Sequence, residues 1–122
     1  MKTFKALSVV SPAGDLICSG KKSLEIRKWK PVILPLLNLI IVQNNVYLTK
    51  EYPVDHNGRA IAMVDIYVIK DWKIEDFNSA CGNYFENGLL AWEITNVRLI
   101  NYCICVPAKL RIYDVEIPQC VL

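Results

Sequence analysis

The sequence predicts a mainly β (α+β) fold, a closed or nearly closed barrel of about six strands with two short helices. Three observations carry that prediction. Apolar, β-branched runs recur from Phe4 to Val10, Ser23 to Arg27, Leu36 to Gln43, Arg59 to Ile69, Leu89 to Thr95, Val97 to Val106 and Lys109 to Ile117. Only two stretches show helical spacing, and both are brief. Glycines and prolines fall singly, as turn punctuation, and no linker or repeat divides the 122 residues, so one domain over residues 1–122 is expected. Strands without intervening long helices favour a barrel over a βαβ sheet.

Taken in order, Phe4 to Val10 reads as a strand ended by Ser11-Pro12. Ser11 suits a helix N-cap, Pro12 the first helical position, and Gly20 the place just past the end, with Leu16 and Ile17 facing inward. From Ser23 the period becomes two: Leu24 and Ile26 lie on one face, and Ser23, Glu25, Arg27 and Trp29 on the other. Pro31 to Val42 is the most apolar run, yet it is too short for a bilayer span and is broken by Pro31, Pro35 and Asn38. Its Val32 to Leu37 part is core or a partner surface. The Asn57-Gly58 turn opens Arg59 to Ile69, which is apolar on both faces as a central strand is. Ile74, Phe77 and Cys81 then share a helix face, with acidic residues in the first turn and Gly82 as the stop. In the last strand the apolar parity shifts between Leu110/Ile112 and Tyr113/Val115, which a β-bulge explains.

The formal charge of +2 is too mild to mark a nucleic-acid binder by itself. Its distribution is more telling. Lys21, Lys22, Arg27, Lys28 and Lys30 face only Glu25 within ten residues, so the rest of the chain is weakly acidic around one basic segment. Such a segment is an anion-binding edge or a solvated hairpin.

Five cysteines are an odd number with no C-x-x-C pair, which predicts free, mostly buried thiols, no metal site and no cofactor. Cys103 and Cys105 share one strand face, where core packing is expected. His56, the single histidine, sits in a turn and is expected to face water. With no apolar leader before Ser11-Pro12 and no bilayer-length run, a cytoplasmic protein without membrane association is the expectation.

The stretch Gly20-Lys21-Lys22-Ser23-Leu24-Glu25-Ile26-Arg27 fits the pattern G-x-K-x-x-E-x-R, and Trp29 follows two positions later. In this the chain resembles the ASCH (activating signal cointegrator homology) domain family. Ser11 to Ile17 is similar to that family's Pro-containing opening helix, Phe85 to Val97, with Leu90-Ala91-Trp92-Glu93-Ile94, to its later aromatic-Trp-aliphatic strand, and Pro107 to Val115 to its closing strand. Leu110 departs from the pattern, which has a glycine after the position of Lys109.

The resemblance implies a PUA-like barrel whose cleft, beside the signature, binds RNA or a nucleoside. Residue chemistry agrees in kind. Arg27 can fork onto a phosphate or base edge, Lys21 and Lys22 add point charges, Ser23 and Glu25 can hydrogen-bond a base, and Trp29 offers a stacking face. The blander alternative pairs Glu25 with Arg27 and buries Trp29. Asp65, alone in an apolar strand, needs a partner such as Arg27 or Lys22, or else an edge in water. Trp92, on the face of Leu90 and Ile94, reads as core. The resemblance also implies an enzymatic alternative, hydrolysis of N4-acetylcytidine or of RNA, with Lys22, Ser23, Glu25 and Asp65 as the catalytic candidates. In that scheme Glu25 stands where the hydrolytic relatives carry a threonine.

Overall fold

The computed structural model describes residues 1–121. Its centre is one six-stranded sheet in the order β2-β6-β5-β3-β1-β8, built from β1 (Lys2–Val10), β2 (Leu24–Arg27), β3 (Leu36–Asn44), β5 (Arg59–Asp71), β6 (Leu90–Cys105) and β8 (Ile112–Ile117). A second, two-stranded sheet pairs β4 (Val54–Asp55) with β7 (Ala108–Lys109). β1 and β3 run parallel, Ala6 opposite Ile40, because the chain crosses over through α1 (Ala13–Cys18) and β2 between them. The other neighbours in the large sheet are antiparallel.

Both faces of this sheet are covered, which is why its central strands are apolar without alternation. Phe4, Ala6, Ile40, Val42, Ala60, Val115 and Ile117 form the core on one side. Leu7, Val9, Leu39, Ile41, Ala62, Val64 and Trp92 form it on the other, closed by Ile17 of α1. A smaller cluster of Leu24, Trp72, Ala80 and Ala91 seats α2 (Phe77–Ala80) at the end of β2 and β6. The central position expected for the Arg59 strand is observed, between β6 and β3.

The sheet curls until its two sides nearly meet. β2 is one edge and β1 lies at the far side next to β8, yet the Arg27 guanidinium donates to the Ser8 carbonyl at 2.7 Å. Across the same gap Arg111 lies over the Trp29 ring, 4.3 Å from its centroid. The sheet is therefore a curled half-barrel rather than the closed or nearly closed barrel expected, with a seam between β2 and β1.

Several local expectations are corrected. Pro12 rather than Ser11 precedes α1; no side chain caps it, and the Ser11 N–H is taken by the Asn44 carbonyl. Gly20 does end the helix, at φ +82. The Ile74 to Cys81 helix is a 3-10 turn followed by the short α2, and Cys81, not Gly82, takes the left-handed terminal conformation. Ile74 and Cys81 are exposed, because the buried anchor there is Trp72, stacked on Phe77 at 6.0 Å. The two strands expected on either side of Asn96 are one strand, β6, kinked where Asn96 adopts φ +51. The parity shift in the closing strand is a break between β7 and β8, with Arg111 at φ +60, rather than a bulge.

The cysteines also differ from expectation. Only Cys18 is partly buried, while Cys81, Cys103, Cys105 and Cys120 are exposed; Ile104, between the C-x-C pair, takes the core side. The apolar run divides likewise, with Leu39 to Val42 buried and Val32, Ile33 and Leu37 exposed. His56 is exposed, as its turn implies. Among the described residues no helix is long and apolar enough to cross a membrane.

Candidate functional site

The seam is the candidate site. A cavity of about 330 Å3 opens there, walled by Ser8 to Val10 of β1, Glu25 to Arg27 of β2, Asn44, Tyr47 and Leu48 at the end of β3, and Lys109 to Arg111 between β7 and β8. That volume lies at the lower end of the ligand-pocket range, about 300–1,000 Å3. Three cations, Arg27, Lys109 and Arg111, face one carboxylate, Glu25, and Tyr47 is 81% exposed at the rim.

Period two in β2 does what the sequence implies: Leu24 and Ile26 turn into the α2 cluster, and Glu25 and Arg27 turn to the seam. Glu25 is buried between two cations, its carboxylate 3.3 Å from Lys22 Nζ and 3.1 Å from Arg27 Nη2. Such partners offset the cost of taking a carboxylate out of water. Among the described residues, both hydrogen bonds of Arg27 use Nη2, so the rest of its fork is not engaged by them.

Lys22 is not the accessible point charge that the basic segment leads one to expect. It is 7% exposed, and its ammonium donates to the Ala80 carbonyl at 2.6 Å, tying the end of α2 to the signature. Its work is to position Glu25 and α2. Lys21, Lys28 and Lys30 are the exposed charges of the segment.

The catalytic candidates are not gathered in one place. Lys22 and Glu25 touch, but Ser23 lines a separate small depression with Lys70, Asp76 and Glu93. Asp65 is paired neither with Arg27 nor with Lys22. It is buried in β5 and accepts from Arg98 at 2.9 and 3.1 Å, from Asn96 at 2.9 Å and from the Asn38 N–H at 2.9 Å. The Arg98 guanidinium holds the Asp65 carboxyl well below the usual carboxylate range, outweighing burial, which acts the other way; the Asn38 and Asn96 bonds reinforce it. Asp65 thus pins the left-handed turns of Asn38 and Asn96 on either side of β5.

Trp29 is half-buried, edge-on to Trp92 at 4.9 Å, with its carbonyl accepting from the Trp92 indole N–H. Arg111 already covers one of its faces. Trp92 is fully buried, as expected of core.

Sequence reasoning missed Ser8, Tyr47, Lys109 and Arg111. Ser8 is held by its neighbours: its hydroxyl lies 2.8 Å from that of Tyr113 and accepts from the Lys109 N–H at 3.1 Å. Burial pushes the Tyr113 phenol up, with the Ser8 bond opposing it. The one signal for the β7–β8 wall was the parity shift between Leu110/Ile112 and Tyr113/Val115, just beyond the break between β7 and β8 that carries Arg111. Among the described residues no group of His, Cys, Asp and Glu side chains could hold a metal ion.

Residues 7–103 match the family model described as the ASCH domain. Among solved structures, a serine-to-alanine mutant of ZmASCH from Zymomonas mobilis is similar, at 18% identity over 88% of this chain and 87% of that one, with a TM-score of 0.55. A tyrosine-to-phenylalanine mutant of the same protein matches at 16% identity over 88% and 89%, with a TM-score of 0.54. At such identities the likeness is one of fold, the PUA-like fold that the signature implies. No curated protein matches the chain.

Proposed function

The chain belongs to the ASCH domain family, and from that membership and the seam cavity we propose that it is a nucleic-acid-binding module. It takes an RNA segment or a nucleoside between β2 and the β7–β8 wall. The observation that carries this reading is the fixed posture of Arg27, anchored through one nitrogen to Ser8 and Glu25 with its remaining N–H groups beside the cavity. A guanidinium held in this way is preorganised to fork onto a phosphate or a base edge. Lys109 and Arg111 supply further phosphate contacts, Glu25 can accept an exocyclic amino group, and Tyr47 presents a stacking face.

Fluorescence anisotropy with short single-stranded RNA at low salt tests the reading. Arg27→Ala and the exposed Lys109→Ala should each weaken binding about tenfold, and each should lower the slope of log K against log salt by about one. RNA that does not bind at low salt, or binds both variants as it does the parent, would sink the proposal.

The hydrolytic alternative draws less support, since Ser23 and Asp65 stand apart from the Lys22–Glu25 pair. Incubation with N4-acetylcytidine, and separately with RNA, tests it directly by chromatography of the products.

A further inference from the structure

We infer that the bound ligand spans two adjoining depressions, so that its class is a single-stranded oligonucleotide of at least two nucleotides rather than a free nucleoside. This rests on the nucleic-acid reading of the seam. A second cavity of about 490 Å3 lies on the other side of Arg27, between β2 and the loop after α2, and Ile26 and Arg27 line both. Each cavity is within the size range of a small-ligand site, which begins at about 300 Å3.

Three features make the pair a track rather than two unrelated hollows. Among the described residues β2 is an edge strand, paired with β6 alone. The Ile94 N–H donates to the Ser23 carbonyl, so the alternation of an antiparallel ladder turns the N–H and C=O of Ile26 outward, off that free edge. Backbone donors and acceptors thus stand at the junction. Arg27 is there too, where two bases seated on either side would place their linking phosphate. Finally, each cavity carries one exposed tyrosine, Tyr47 in the first at 81% and Tyr84 in the second at 68%, and Lys28 adds a cation to the second. Stacking on aromatic faces along a basic groove is how single strands are held without regard to sequence.

Calorimetric titration of the full chain with cytidine monophosphate, a cytidine dinucleotide and a tetranucleotide at low salt tests this. The dinucleotide should bind about tenfold more tightly than the mononucleotide, the worth of one further stacked base. Tyr84→Ala should abolish that gain, and Tyr84→Phe, which keeps the ring, should retain it. Equal affinity for mono- and dinucleotide, or a gain that survives Tyr84→Ala, overturns the two-site inference and leaves the seam reading standing. Failure of every ligand to bind overturns both.

Discussion

Asp65 shows how a single buried charge is used to hold shape. Its depressed pKa means that the folded state keeps the carboxylate ionised where an unfolded aspartate, with a pKa of about 3.9, would take up a proton. The stability it contributes is fully present above about pH 5 and drains away as the pH falls below about 4. Asp65→Asn, which leaves a mismatched donor facing Asn38 and Arg98, should cost about 1–3 kcal/mol at neutral pH. Urea midpoints measured from pH 7 to pH 2 should fall less steeply for the variant than for the parent; parallel curves would show that Arg98 does not stabilise the ionised form. Glu25 is the other buried carboxylate with cationic partners, but it lines the seam cavity together with its partner Arg27, and that difference separates a structural carboxylate from a candidate binding one.

At the scale of elements, α1 is short and has no capping side chain, so packing must hold it. Gly14 allows the close approach. A Cβ there would meet Ile61 Cδ1 and, at 2.7 Å, Gln43 Oε1, the atom that accepts the Asp15 N–H. Gly14→Ala should therefore lower stability by about 1–3 kcal/mol in urea denaturation, against the gain an alanine gives an unconstrained helix. A neutral result would mean that the helix rides freely on the sheet. β2 illustrates the opposite economy: four residues, paired on one side only, place Glu25 and Arg27 on the seam because the other side chains are claimed by the Trp72 cluster.

For the molecule as a whole, covering both faces of one curled sheet leaves the seam as the place where strand-edge polar groups, basic side chains and a cavity coincide. The same packing sorts the thiols. Burial, reinforced by the nearby Asp15 carboxylate, raises the pKa of Cys18, while the other four cysteines are exposed. A disulfide reagent should titrate four thiols in the native protein and the fifth only after denaturation. Five equivalent thiols would mean that α1 does not cover its side of the sheet.

Strand content, the central Arg59 strand, the Gly20 helix stop and the two faces of β2 were readable along the chain, because each depends on local periodicity or on one residue's conformational preference. So was the segment that forms one wall of the seam cavity. The opposite wall was not, because Ser8, Tyr47, Lys109 and Arg111 meet Arg27 only when the sheet curls and its edges approach. Lys22 was misplaced for a related reason. A lysine in a basic run looks solvated until α2 folds over it and offers the Ala80 carbonyl. Likewise, Asp65 finds Arg98 rather than a signature residue because strand register, which no local pattern encodes, brings β6 beside β5. Periodicity along the chain settles which way a side chain points; the closure of the sheet settles what it meets there.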